Sequence, residues 1–590
     1  MAAVDEKSIT MEVDEAGASC EHTPPRSSWR VRKGGYRAAM FVFVMSGLDN
    51  LGVVANMLSL VIYFIVVLHF NLAEASTTLT NFMGATFLIT LLGGFISDTY
   101  MTRLNTVLVF GIFEILGYGL LTLQAHKSSL RPPATCLACP LKDGNLRLFD
   151  TTLCLLAVGF GGTRGALPAL GADQFDKSNP KEARHLTSYF NWLLLSVTVG
   201  ASIGVTVIVW ISTEKNRWAL AFFICMVLTI AGFICLAAGK PFYRVRVPGD
   251  SPMLKFIQVV IVSIRNRKFP LPANADELYE MDEKDQGKKD EEVLAHTSQL
   301  RFFDKAAVLT AGMKPEPWKV CPVTQVEELK IIIRMLPILA STVVMNTCLA
   351  QLQTFSVAQG RIMDLSLGHS FKVPPASIPV IPLVFMSILL PLYNFLFVPF
   401  VRRFTGRPSG ISHLQRVGIG LVLSAVSMAI AAIVEVKRRN AFVQHNEQIS
   451  LFWLSFQYGI FGIADMFTLV GLMEFFYSEA PAGMRSLSTS FSFLSLALGY
   501  FLNTVLVQTI NAVTARLASS HRGWIEGTDL NLINLDLFYW FLSILSCLNF
   551  GVYLLCATWY KYRRDYKIDG DDQLKPQRQS QNDPDDQPRT

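Results

Sequence analysis

Charged side chains are scarce in this sequence. Asp, Glu, Lys and Arg make up 17% of its 590 residues, where soluble domains carry about 25%. An ordinary soluble enzyme would lack the surface charge that keeps it in water. Cysteine is thin as well, ten in the whole chain, which excludes a disulfide-stapled scaffold. The nine histidines do not group at metal-ligand spacing, and no Walker A loop or nucleophile–base pair occurs. No cofactor, metal or enzymatic activity is therefore expected. No basic tract carries interleaved aromatics and the net charge of +6 is modest, so nucleic acid is not an expected partner. Residues 1–35 are polar and mixed in charge, without the apolar core and cleavage site of a secretory leader.

Long apolar runs fill the chain instead: 51% of its residues are hydrophobic. A helix crosses the hydrocarbon core in about 20 mostly apolar residues. That length fits near 37–68, 79–98, 104–124, 148–169, 187–212 and 217–238, then again near 331–355, 376–401, 411–435, 450–475, 485–512 and 537–560. The expected fold is an all-α membrane protein, with twelve transmembrane helices in two six-helix bundles embedded in the lipid bilayer. The expected divisions are a cytoplasmic N-terminal tail (1–35), an N-terminal bundle (36–239), a cytoplasmic central loop (240–330), a C-terminal bundle (331–562) and a disordered cytoplasmic tail (563–590). Six plus six around a long polar loop is the outline of a secondary transporter. A polytopic membrane enzyme or scaffold is the alternative, and the even halves argue against it.

Basic residues set the orientation. Arg26, Arg30, Arg32, Lys33 and Arg37 flank the first span, and Lys561, Arg563, Arg564 and Lys567 follow the last, so both termini are expected in the cytoplasm. Lys437, Arg438 and Arg439 break this rule in an outer loop. Residues 251–267 are apolar with a basic end, as in a helix lying along the cytoplasmic membrane face. Residues 273–300 read as a flexible linker. Cys136-Leu-Ala-Cys139 is a lone CxxC in an outer loop, weak as a zinc signal and open to a local disulfide or to no role.

Ionisable residues inside apolar spans carry the sharpest information, because a charge at a helix centre costs about 2.5–3.5 kcal/mol on insertion scales. Four stand out: Asp49, Glu114, Arg164 and Asp465. Arg164, within Gly159-Phe-Gly-Gly-Thr-Arg164-Gly, keeps its proton and can grip an anion bidentately. Alternatively it is locked to a carboxylate such as Asp49 or Asp465. Asp465 and Asp49 can carry a proton with the solute or serve as packing hydrogen bonds. Glu114 has no supporting motif and reads as a packing residue. In the turn after the second span, Gly94-Phe-Ile-Ser-Asp98-Thr-Tyr-Met-Thr-Arg103 reads as a gating latch. Gly94 lets two helices meet, Asp98 caps a neighbouring helix and Arg103 pairs across the bundle.

These residues resemble the plant nitrate transporter 1/peptide transporter family, within the proton-dependent oligopeptide transporters of the major facilitator superfamily. The resemblance covers about residues 30–565. It is carried by Thr80-Asn-Phe-Met-Gly84, the Gly94–Arg103 turn, Gly161-Gly-Thr-Arg-Gly through Gly171-Ala-Asp-Gln-Phe175, Leu352-Gln-Thr-Phe-Ser-Val-Ala-Gln359, Pro374-Pro-Ala-Ser377, Leu414-Gln-Arg416 and Phe475 to Arg485. It implies a transporter of small solutes, driven by protons through alternating access.

The departures bear on mechanism. The family's first span usually carries Glu-x-x-Glu-Arg, linked to proton coupling; here Ser46, Asp49 and Asn50 stand in those places. Arg164 replaces a usual lysine and Asp465 a usual glutamate. A histidine associated with nitrate binding in one branch is Leu349 here, ahead of Ala350-Gln351-Leu352. The pattern is most similar to the branch that carries abscisic acid and, in some members, gibberellin or nitrate. In that reading Arg164 holds the carboxylate, Leu349, Gln351 and Phe355 line the pocket, and Asp49 and Asp465 handle the proton. The expected partners are a small anionic solute and protons, and the expected location is the plasma membrane, with the vacuolar membrane as alternative. A di/tripeptide transporter and a non-transporting anion sensor are the competing functions.

Overall fold

The computed structural model describes residues 34–132, 143–175, 180–245, 252–272, 296–309, 318–367, 371–382, 411–479, 487–517 and 533–560, with isolated residues between these blocks. The described residues are almost wholly helical. In the first half the helices are α1 (Tyr36–Val66), α2 (Leu72–Thr99), α3 (Arg103–His126), α4 (Asp143–Ala172), α5 (Pro180–Ile203) and α6 (Trp218–Ala238). After α5 the chain continues through a π-helical stretch to Glu214. The central segment contributes α7 (Pro252–Arg265). The second half has α8 (Val323–Gln353), its short continuation α9 (Phe355–Gly360), α10 (His413–His445), α11 (Leu454–Glu479), α12 (Leu487–Leu517) and α13 (Leu535–Trp559). A two-stranded hairpin, β1 (Ser366–Leu367) with β2 (Phe371–Lys372), follows α9.

Ten helices among the described residues are long and apolar enough to cross a membrane. Leu454–Glu479 runs the length of a further span. The span expected at 376–401 begins within 375–382, and 383–399 lie outside the described residues. Also outside them are Cys136, Cys139 and residues 1–33 and 561–590.

Local chemistry sets the boundaries. Asn71 Oδ1 accepts from Glu74 N at 2.7 Å to cap α2, and Thr102 caps α3. Ser412 and Gln415 form a reciprocal capping box on α10, satisfying N–H groups that the first turn leaves free. The exceptional cations Lys437, Arg438 and Arg439 belong to the last turns of α10. Arg438 pairs with Glu435 at 2.7 Å, Arg439 reaches Asp536 at 3.4 Å, and the Lys437 ammonium lies 3.5 Å from the Trp453 ring centroid. The two arginines are thus paired with acids within the protein, and Lys437 rests on an aromatic face.

Each bundle has its own aromatic core. Tyr63, Phe64, Phe149 and Phe222 interlock in the first; in the second Phe355 packs edge-on to Phe538, and Phe475 to Tyr560. The central segment is less loose than its composition predicts. Val259 and Val262 of α7 pack with Ala306, Ala307, Cys321 and Val326. Lys330 of α8 is fully buried between Asp304 (2.6 Å) and Glu327 (2.7 Å). Thr297 gives Glu327 two further hydrogen bonds. Residues 294 and 296–300, expected as flexible linker, thus fasten onto α8, because buried charges there demand partners. On the opposite side of α7, Ile257, Ile261 and Ile264 form an exposed apolar stripe, the feature of an interfacial helix.

Candidate functional site

The site begins with glycine. Gly161 and Gly165 of α4 face α2, and Gly162 faces Phe110 of α3; a Cβ on Gly165 would lie 2.3 Å from the Thr90 carbonyl oxygen and 2.6 Å from Gly94 N. A Cβ on Gly93 would lie 2.7 Å from Gly162 Cα. Backbone therefore meets backbone, as small residues permit between membrane helices. Arg164 projects from this crossing.

Arg164 is half-buried, and no carboxylate among the described residues makes an ion pair with it. Its Nη2 donates to Asn50 Oδ1 at 3.4 Å, while Asn50 Nδ2 donates to the Ser46 carbonyl at 2.9 Å. The residue where the family usually has arginine thus orients the cation of α4. The guanidinium carbon stands 5.8 Å from the centroid of the Phe87 ring, and Phe87 stacks on Tyr500 (5.7 Å) and Phe493 (5.9 Å) of α12. Arg164 and Asp465 both lie within electrostatic reach of Tyr500. Asp465, on α11, is half-buried and has no hydrogen-bond or ion-pair partner among the described residues. One cation from the first half and one acid from the second thus converge on the aromatic wall between the bundles, and Arg164 is not locked to Asp49 or Asp465.

Asp49 is buried on α1, beside Glu114 of α3 and within reach of Arg164. Glu114, read from sequence as packing, belongs to the same charged group. Phe87 and Tyr500 carry no sequence signal beyond being aromatic in a span. The remaining expected residues divide. Leu349 is only partly buried against the C-terminal core. Gln351 is buried and donates to Asn503, tying α8 to α12. Phe355 is fully buried, edge-on to Phe538 at 5.5 Å; it packs the C-terminal core and not the wall facing Arg164.

At the turn between α2 and α3, Arg103 Nη1 binds Asp173 Oδ2 at 2.5 Å and the Ala169 carbonyl at 3.0 Å, joining the start of α3 to the end of α4. Gly94 faces the Gly165 carbonyl. The helix cap expected from Asp98 is supplied to α3 by Thr102; the Asp98 side chain lies outside the described residues. Gln174, next to Asp173, accepts from Arg244 N at 2.8 Å, and Arg244 binds Glu182 at 2.8 Å. The Gly-Ala-Asp-Gln-Phe motif is therefore the knot at this end of the bundle. A cavity of about 540 Å³ opens elsewhere, beside Arg131, Arg217 and Phe223, at the ends of α3 and α6.

The comparisons with known proteins agree with this architecture. The chain is 40% identical over 537 residues to the NRT1/PTR family 4.4 protein of Arabidopsis thaliana, covering 90% of this chain and 88% of that one. Its fold is similar to the crystal structure of the POT family transporter PepTSo, with a TM-score of 0.67 at 16% identity, covering 90% and 98% of the two chains. It is also similar to a POT family transporter solved in complex with 5-aminolevulinic acid, with a TM-score of 0.60 at 12% identity and coverage of 89% and 98%. Residues 104–525 match the POT family profile. The chain belongs to the POT family of membrane transporters.

Proposed function

We propose that this transporter imports a small anion together with protons, by alternating access. A terpenoid carboxylate such as abscisic acid is the first candidate, with gibberellin and nitrate as others. The observation that carries this reading is the unpaired guanidinium of Arg164. A half-buried cation that no carboxylate among the described residues grips directly is costly, and an arriving carboxylate or nitrate offsets that cost with two parallel charge-assisted hydrogen bonds. The Phe87, Tyr500 and Phe493 stack offers an apolar surface to a terpenoid body. Asp465, without a hydrogen-bond or ion-pair partner among the described residues, supports a role in accepting the coupling proton, and Asp49 beside Arg164 a second such role. The Arg103–Asp173 pair supports a latch that holds the cytoplasmic end of the first bundle. Basic flanks on the termini favour their cytoplasmic location at the plasma membrane.

A second reading has its own observation. Arg164 and Asp465 bring opposite charges to one interface, as the two ends of a zwitterionic peptide require. A thermal-shift titration of the purified protein separates the two. Abscisic acid, gibberellin, nitrate and a dipeptide are each added to wild type and to Arg164→Ala. A ligand near 100 times its Kd raises stability by about 2.7 kcal/mol. Stabilisation by an anion in wild type alone supports the first reading; stabilisation by the dipeptide alone overturns it.

A further inference from the structure

Glu114 is the buried charge for which neither the family pattern nor the anion clamp accounts. It is fully buried, and neither of its carboxyl oxygens receives a hydrogen bond among the described residues. The same holds for Asp49 Oδ1. Buried polar atoms are nearly always satisfied, and leaving them bare costs several kcal/mol. Polar and titratable groups reach the pair from α3, α4 and α6. Arg164 faces the pair from α4, Tyr118 from α3, and Thr229 with Cys225 from α6. Tyr118 accepts from Asn56 Nδ2 at 2.9 Å. Arg164 is the sole cation in this group, and its described hydrogen bond goes to Asn50.

We propose that Asp49 and Glu114 act as one proton-holding pair beside Arg164, so that the acid missing from the first span is supplied by the third. This deepens the proton-coupled reading above and rests on it. Two carboxyls that face each other repel when both are ionised and bond directly when one holds a proton and donates it to its neighbour. The helices hold them rigidly in that relation. A Cβ on Gly159 of α4 would lie 2.5 Å from Glu114 N, and a Cβ on Gly200 or Gly204 would lie 2.1 Å from the Gly47 or Leu51 carbonyl oxygen. The α3–α4 and α1–α5 contacts on either side of the pair are thus backbone-tight. Each proton the pair takes up removes one negative charge facing Arg164. An anion bound at Arg164 favours that uptake, and the proton favours the anion by the same factor.

The test needs no solute in its first arm. Infrared spectra of the protein in nanodiscs are titrated with pH for wild type, Glu114→Gln, Asp49→Asn and the double variant. The pair predicts one titrating protonated-carboxyl band that either single variant removes, with nothing further lost in the double. Separate bands that add in the double variant, or no titrating band sensitive to either, overturn the proposal. The second arm uses proteoliposomes and whichever solute wild type carries. Across a one-unit pH gradient, one coupled proton gives about tenfold accumulation. Glu114→Gln should lose this accumulation while keeping solute counterflow, and wild-type accumulation in Glu114→Gln overturns the pair. If wild type carries none of the solutes, the transport reading fails while the infrared arm still decides the pair.

Discussion

Arg164 stands four residues before Pro168, which has no N–H to give its carbonyl, so α4 lacks a hydrogen bond at the residue that carries its charge. The Pro168 carbonyl itself accepts from Tyr189 Oη at 2.9 Å. Arg164 is thus displayed from a locally loosened turn, steadied by Asn50. Replacing Asn50 with Ala should weaken anion binding about fivefold, the worth of one hydrogen bond near 1 kcal/mol, as measured by the Kd from thermal-shift titration. Arg164 and Asp465 stood out in the sequence as charges in apolar spans, whereas their approach to one aromatic wall did not. Glu114 was equally visible as a charge, but its partner lies on another helix, and helix rotation is not written in a span that is apolar all round. Phe355 illustrates the same limit: read as a wall residue, it packs into the core against Phe538.

At the scale of elements, the span positions follow from apolar length, and α1 to α6 fall close to the expected runs. What length does not show is how closely helices approach. Gly165→Ala should destabilise the first bundle by about 1–3 kcal/mol, the usual cost of overpacking, because its Cβ would meet the Thr90 carbonyl. A fall in melting temperature checks it. Residues 273–300 were read from charge as a linker, but the hydrogen bonds of Thr297 to Glu327 beside Lys330 reverse that reading at residues 296–300. Burial pushes the Cys321 thiol up to about 12, so at neutral pH almost none of it is the reactive thiolate. Maleimide labelling of Cys321 should therefore be slow in the folded protein, and Lys330→Ala should speed it by undocking the segment that covers the thiol.

Across the whole molecule, the described contacts between bundles run from Phe87 towards the end that carries the α1–α2 turn. Thr80 Oγ1 meets Thr504 Oγ1 at 2.8 Å, Thr504 donates to Asn81 Oδ1 at 2.8 Å, and Ser377 donates to the Val205 carbonyl at 2.7 Å. In the proposed orientation this is the outer end, where such contacts would act as an outer gate. A Thr80→Cys/Thr504→Cys pair, once cross-linked by oxidation, should abolish uptake, and reduction should restore it. Uptake that persists in the cross-linked protein would show that these contacts do not open during transport.

The most direct measurement is uptake of labelled abscisic acid into proteoliposomes, at acidic and at neutral external pH, for wild type, Arg164→Ala and Asp465→Asn, with protein-free liposomes correcting for passive entry of the neutral acid. An anion clamp and a proton carrier predict three results. Wild-type uptake rises as external pH falls, Arg164→Ala takes up nothing above background at either pH, and Asp465→Asn loses the pH dependence. Uptake that survives in Arg164→Ala, or retains its full pH dependence in Asp465→Asn, would contradict the account.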